Sequence, residues 1–266
     1  MLLSIHHITE YEFDQPVRYA LQRLKLRPKN GAGQTVHSWD LTIDGGRVEA
    51  EQDDPHNNHV ALISIDEGRT GIKISCHGQV ETNDTHGILG RHRSHVPLWA
   101  YCRQTRLTTA GRGVQKLVGG IDRAATDKIA MLHELSAHII SNMPYQTGQT
   151  GVATNAEQAI AAGGGVCQDH AHVFIAACRT LGIPARYVSG YLMMNDRVDQ
   201  TASHAWAEAH LDGLGWIGFD ISNGISPDGR YARVATGFDY RDAAPISGMS
   251  FGARDKSMVV SLRVEQ

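Results

Sequence analysis

The hydrophobic period of this chain changes once, near residue 120, and that change limits the fold more than any other feature. Before it, apolar residues alternate in short runs, most clearly Trp39-Leu41-Ile43 and Ile72-Ile74-Cys76-Gly78-Val80. A two-residue repeat is the signature of strands with one buried face. Strand-like runs also cover residues 3–13, 21–27 and 60–65, with turn signals at Asp44-Gly45-Gly46 and Asp66-Glu67-Gly68. Several short alternating strands at this spacing predict an antiparallel β-sandwich. The stretch from Thr82 to Gly120 holds several glycines and no long periodic element, so the sandwich is expected to end there.

Beyond it, Ile129, Leu132, Leu135, Ile139 and Ile140 recur at helical spacing until Pro144. Thr154 reads as the N-cap of a short helix ending at Ala162, with Glu157 as its capping-box partner. Gly163-Gly164-Gly165 separates it from a helix starting near Cys167, whose stripe is Ala171, Phe174, Ile175, Cys178 and Leu181. Gly182 closes that helix and Pro184 prevents its continuation. Strands are expected over 185–192, 204–211 and 216–219, and in the alternating Met258-Val260-Leu262-Val264. The fold class is therefore α+β, with a sandwich-like domain over 1–115 and a second domain over 116–266.

A length of 266 residues allows two domains with real cores, and a formal net charge of −3 gives no basic stripe for a nucleic-acid backbone. No apolar run is long enough to cross a bilayer, so no membrane partner is expected. Leu2-Leu3-Ser4-Ile5, followed at once by two histidines, reads as a strand and not a signal peptide, which makes the location cytoplasmic. The four cysteines, Cys76, Cys102, Cys167 and Cys178, show no CxxC spacing and form neither a disulfide framework nor a zinc site. Cys76 and Cys178 read as small buried hydrophobes. Among fifteen histidines, His133 and His138 are one residue too far apart for HExxH, His170 and His172 point apart on their helix, and His56 and His59 sit in a polar turn. No metal and no cofactor is expected.

Cys167 has unusual surroundings. A glycine-rich turn opening into a helix at a cysteine offers free N–H groups and the positive end of the helix dipole, which stabilise a thiolate and can hold an oxyanion. Glycines, Gly165 among them, let a substrate chain approach the sulfur closely. The alternative is a loop cysteine beside a flexible hinge. A nucleophilic thiolate needs a base, and the base an orienting partner. His204 opens one strand and Asp220 ends the next, across the short connection Asp212-Gly213-Leu214-Gly215. A hairpin there brings the two residues to the same edge, where the carboxylate would hold the imidazole through Nδ1. The alternative is a pair of surface polar residues at strand ends. His170, one turn from Cys167, either lines the cleft or packs. Trp206, on the His204 face, either walls the cleft or joins the core. Asp169 reads as a local cap or a partner for Arg186.

Three segments carry a family resemblance: Gly165-Val166-Cys167-Gln168-Asp169-His170-Ala171-His172, then residues 179–191 from Arg179-Thr180-Leu181-Gly182-Ile183-Pro184 to Tyr191, then His204-Ala205-Trp206-Ala207-Glu208. Together they closely resemble the bacterial transglutaminase-like superfamily, whose members are described as cysteine proteases. Residues 235–245 are similar to the segment that follows the family's aspartate. Thr9-Glu10-Tyr11-Glu12-Phe13 and Leu24-Lys25-Leu26-Arg27-Pro28 resemble its accompanying N-terminal β region. The resemblance implies a papain-like α+β core, with Cys167 as nucleophile, His204 as base and Asp220 as orienting residue. One departure is that Asp220-Ile221-Ser222 stands where relatives carry Asp-Pro-Thr, so the rigid turn is missing.

The activity implied is acyl transfer from a peptide or protein amide through a thioester on Cys167. Water as acceptor makes a peptidase or amidase, an amine makes a transglutaminase, and a non-catalytic binding module on the same fold is the contrasting reading. Hydrolysis is favoured because Trp206 alone makes an incomplete aromatic wall, although the loop from Met193 to Thr201 is placed to close over the site.

Overall fold

The computed structural model describes residues 1–252 and 255–266, and side chains at all of these except 255 and 256. In chain order the strands are β1 (Leu2–Phe13), β2 (Tyr19–Leu24), β3 (Gln34–Asp44), β4 (Gly46–Asp53), β5 (His59–Ile65), β6 (Gly71–Thr82) and β7 (Ile88–Gly90). Helices α1 (Arg112–Gly119), α2 (Lys128–Asn142), α3 (Ala156–Ala162) and α4 (Cys167–Thr180) follow. Then come β8 (Ala185–Leu192), β9 (Asp199–Gln200), β10 (His204–Leu211), β11 (Gly215–Phe219), β12 (Tyr231–Gly237), α5 (Tyr240–Ala243), β13 (Ile246–Phe251) and β14 (Asp255–Glu265).

The chain is an α+β protein built on three antiparallel sheets, ordered β3-β6-β1-β14-β9, β13-β2-β5-β4 and β12-β8-β10-β11-β7. The first two form the sandwich. Tyr11, Phe13, Ile72, Ile74 and Cys76 from one sheet meet Ala20, Leu24, Ala61, Ile63 and Ile65 from the other in a single apolar cluster. Strict alternation on β1 and β6 fixes which residues face inward, as the sequence predicts. β4 escapes sequence reading because seven of its eight residues are exposed, leaving no apolar stripe.

Sheet membership does not divide at the expected 115/116 boundary. β14 lies beside β1, with Ser4 opposite Glu265 and Tyr11 opposite Met258, and β13 lies beside β2. The last strands thus return to the sandwich, while β7 joins β11 in the third sheet. The physical reason is β1's inward stripe. Tyr11 and Phe13 enter the sandwich core, whereas Leu3 and Ile5 enter the core of the helical part together with Leu262 and Val264 of β14. One sheet therefore serves two cores, and β14 is needed by both.

The central helix is α4. Residues from Val173 to Ala177 are fully buried on all sides, between the third sheet and α1, α2 and α3. Burying side chains such as Val173, Phe174 and Ile175 contributes about 1.5–3 kcal/mol each, and Phe174 lies 5.2 Å from Phe219 of β11, ring centre to ring centre. This packing fixes where the first residue of α4, Cys167, points.

Capping differs in detail from expectation. Asn155 caps α3, accepting from Gln158 N at 2.9 Å, while Gln158 reaches back to Asn155 N. Thr154 lies one residue too early and its hydroxyl accepts from Gly151 N instead. Glu157 caps a neighbour. Its carboxylate accepts from the amides of Gly111, Gly113 and Val114 at the start of α1, a helix without a recognisable side-chain cap of its own.

Candidate active site

Val166, extended at φ −109° and ψ −179°, precedes α4 and has no polar side chain to cap it. Asp169, in the first turn, folds back instead: its Oδ2 accepts from Val166 N at 2.9 Å and from the Thr150 hydroxyl at 2.7 Å. The carboxylate can return only because residue 165 has no side chain. A Cβ on Gly165 would lie 2.7 Å from Asp169 Oδ2 and 2.8 Å from its Cβ. Gly165 is buried behind the cysteine and does not line the cleft, so its role is to admit Asp169 and not a substrate. The Val166 carbonyl accepts from the amides of Asp169 and His170. The Cys167 and Gln168 amides precede these first intrahelical bonds, where helix geometry leaves N–H groups unpaired.

His204 is the first residue of β10. The β10–β11 hairpin runs from Leu211 opposite Gly215 to Ala207 opposite Phe219, so Asp220, one residue past β11, meets His204 on the diagonal. The contact is Nε2 to Oδ2 at 2.6 Å. Orientation through Nδ1 is thus corrected: Nε2 donates to Asp220, which leaves Nδ1 as the ring nitrogen available to Cys167. Burial opposes charge on His204, but the hydrogen bonds to Asp220 and Cys167 and the charges of both outweigh it and lift the pKa to about 10. These partners favour the protonated ring.

Asp220 is 1% exposed. Besides His204, its Oδ2 accepts from the Tyr231 hydroxyl at 2.8 Å and Asn223 Nδ2 at 2.7 Å, and Oδ1 accepts from Asn223 N at 3.2 Å. Burial would raise its pKa, but the His204 bond and charge, with Tyr231 and Asn223, hold it below the ordinary carboxylate value. The work of the missing proline is divided. Ile221 is buried in the core, and a bridge between Asp220 and Ile225 (N to O, 2.8 and 3.2 Å) closes the turn.

The other sequence candidates lie behind these residues. His170 is fully buried, with Nε2 donating to Met143 O and Nδ1 accepting from the Ser222 hydroxyl, both at 2.8 Å. It ties α4 to the loop that carries Asp220 and does not reach the cleft. Trp206 is 1% exposed and packs with Val188, Leu192 and Tyr231, stacked on His204 at 6.2 Å. It supports the imidazole from beneath and is no wall of the cleft. A Cβ on Gly190 would lie 2.4 Å from its ring, so that glycine makes the room. Arg186 does not meet Asp169; it pairs with Glu208.

Cys167 and His204 open into a cleft of about 850 Å³. Much of it is built by residues that no local pattern joins to Cys167. His7, Thr9 and Tyr11 of β1 and Met258 and Val260 of β14 contribute from the sandwich, and Tyr145 from the segment after α2. His7 bonds Tyr191 Oη and Thr9 Oγ1, each at 2.9 Å, and burial lowers its pKa to about 4. A signal was present: His7 and Thr9 are the two polar residues on the inward stripe Leu3-Ile5-His7-Thr9-Tyr11-Phe13. The segment 193–201 also borders the cleft through Met194, Arg197, Gln200 and Thr201, and β9 within it is held to β14 by Gln200 opposite Leu262.

The chain carries a transglutaminase-like core, residues 115–221 matching the model of the transglutaminase-like superfamily, and residues 3–81 match the bacterial transglutaminase-like N-terminal region. An uncharacterized protein of Mycobacterium leprae (strain TN) is 26% identical over 278 residues, covering 98% of this chain and 98% of that one. An uncharacterized protein of Mycobacterium tuberculosis (strain ATCC 25618 / H37Rv) is 26% identical over 280 residues, covering 96% and 89%. Among solved structures, a putative cysteine protease from Cytophaga hutchinsonii is similar in fold, with a TM-score of 0.76 and 23% identity over 100% of this chain and 92% of that one. Among the described residues, no helix is long and apolar enough to cross a membrane.

Proposed function

We propose that this protein is a cysteine hydrolase that cleaves an amide bond in a peptide or protein through a thioester on Cys167. The observation that carries the reading is the placement of His204, which lines the same cleft as Cys167 and is bonded to Asp220 through Nε2, leaving Nδ1 for the sulfur. In the reaction, His204 holds the proton given up by the Cys167 sulfur, which attacks the amide carbonyl. The oxyanion is received by the free amides at the start of α4. The C–N bond breaks as imidazolium Nδ1 protonates the departing amine, leaving an acyl thioester. Water then attacks, its proton passing to Nδ1, and the acid leaves as the C–S bond breaks. Asp220 keeps the ring oriented in both halves.

Hydrolysis is preferred over amine transfer because water needs no binding site of its own, and the cleft, although largely apolar, carries the hydroxyl and amide groups of Thr9, Thr147, Ser189, Ser203, Ser222 and Asn223 to admit it. Trp206, the aromatic that alternation places on the His204 face, is buried and does not shield the thioester; the aromatics that line the cleft are Tyr11, Tyr145, Tyr187 and Tyr240. A reducing compartment such as the cytoplasm suits four cysteines that are all free. The test is to incubate the protein with a library of peptide amides, trap the acyl-enzyme, and identify it by mass spectrometry, with an excess primary amine present. An acyl adduct on Cys167 that resolves mainly to acid supports the reading. Mostly amide product makes the protein a transferase, and no adduct with any donor removes the catalytic assignment.

A further inference from the structure

A second cavity, about 760 Å³, shares no lining residue with the catalytic cleft. It lies against the face of the third sheet that points away from α4. Glu208 stands opposite Arg186 across β10 and β8, and Arg233 of β12 reaches the same carboxylate. The outer walls are the segment 27–32, the turn between β4 and β5, and the segment 91–94. Gln34 clamps the first of these to β12. Its side chain donates to Lys29 O and Arg233 O and accepts from Arg233 N at 2.7 Å.

The cavity collects positive charge: Arg27, Lys29, Arg91, Arg93, Arg186 and Arg233 all line it, in a chain whose formal net charge is −3. Their compensation is incomplete. The fully buried Glu208 carboxylate is shared, at 2.6 Å to Arg186 and 2.7 Å to Arg233, so one negative charge faces two positive ones. Lys29 Nζ reaches neutral oxygens, His56 O at 2.8 Å and Thr236 Oγ1 at 2.9 Å. Burial, then the charges of Arg233 and Arg186, hold its pKa well below the ordinary value. Arg27, Arg91 and Arg93 are exposed at the rim, and no ion pair engages them among the described residues. Asp53 is the one carboxylate lining the cavity, and it faces His59 at 3.8 Å.

Buried cations are held at a cost unless something compensates them, and guanidinium forks match tetrahedral oxyanions in geometry. Arg186 is also fixed, its guanidinium 3.9 Å over the Trp216 ring, so the floor is preorganised. We propose that this cavity binds a small organic phosphate carrying at least two phosphoryl charges. A single carboxylate would leave most of the cations unanswered, and the cavity is much larger than one phosphate group needs.

The probe is inorganic triphosphate, titrated calorimetrically into the full chain at 0.15 M salt, with citrate as a polycarboxylate of similar charge. Saturable 1:1 binding of triphosphate, tighter than that of citrate, is expected. The exposed double variant Arg91→Ala/Arg93→Ala should weaken it at least tenfold while leaving alkylation of Cys167 unchanged. Arg27→Ser is a second rim variant, expected to weaken binding severalfold. The proposal is overturned by the absence of saturable triphosphate binding at millimolar concentration, by equal affinity in wild type and both rim variants, by tighter binding of citrate, or by binding of a duplex oligonucleotide alone. Because Cys167 reactivity is read separately, failure here is distinguishable from failure of the hydrolase reading.

Discussion

The third sheet treats buried charge in two ways, one at the edge that carries His204 and Asp220 and one on its outer face. At the edge, Asp220 meets a single imidazolium, and the remaining acceptor capacity is filled by neutral donors, Tyr231 and Asn223. On the outer face, Glu208 meets two guanidinium groups with Lys29 close by. The edge is closed and balanced internally, with no charge left over. The outer face carries surplus positive charge and is completed only from outside. Location in one sheet does not give one electrostatic character; the ratio of cations to carboxylates does.

The comparison can be broken in graded steps. Cys167→Ala should reduce turnover of any amide donor to background, with circular dichroism unchanged, because only the nucleophile is lost. Residual turnover within tenfold of wild type would move the chemistry elsewhere. Glu208→Ala acts on the other side. Removing the one buried partner of Arg186 and Arg233 should cost about 3–5 kcal/mol of stability, read as a lower denaturant midpoint. A variant as stable as wild type would mean that the two arginines are already compensated.

Asp220→Ala should lower turnover on the order of a hundredfold, less than loss of the sulfur, since the carboxylate orients the ring and forms no bond to substrate. Unchanged activity would place the orienting group elsewhere. The smallest effects concern titration. His204 should titrate near pH 10 by ring-proton NMR, above its ordinary 6.5. The associated stabilisation is complete below 6.5 and lost as pH rises through about 10. A midpoint near 6.5 would show that the ring is not paired. In the same pH range, iodoacetamide should label Cys167 about tenfold faster or more than the other cysteines. Burial pushes Cys76 up to about 12 and also raises Cys178 and Cys102. Equal labelling of all four would contradict the assignment.

Residues close in sequence, or linked by a hairpin, were legible. The helix beginning at Cys167 and the His204–Asp220 meeting both follow from short-range patterns. Features that depend on distant chain were not. Nothing local in Met258-Val260-Leu262-Val264 says whether its neighbour is β12 or β1, because alternation fixes a face and not a partner. Trp206 shows the same limit. Its position on the His204 face was readable, but the residues that cover it, Tyr231 and Leu192, lie on other strands. The outer cavity was hidden for a further reason: its cations come from four separate segments, and near-neutral total charge conceals such a gathering.

The pairing of β1 with β14 has a consequence for the order of folding. Strand β1 waits for a neighbour that emerges after nearly all the intervening chain, and such long-range pairing is intrinsically slow. Until β14 docks, Leu3 and Ile5 lack the covering of Leu262 and Val264, and the cleft lacks Met258 and Val260. Cys167 and His204 can therefore be assembled, on α4 and β10, in a molecule whose cleft is still incomplete. During refolding, alkylation of Cys167 should recover before amide cleavage does, and simultaneous recovery would show that β14 docks with the core. A protein of this design completes its cleft only when β14 is in place.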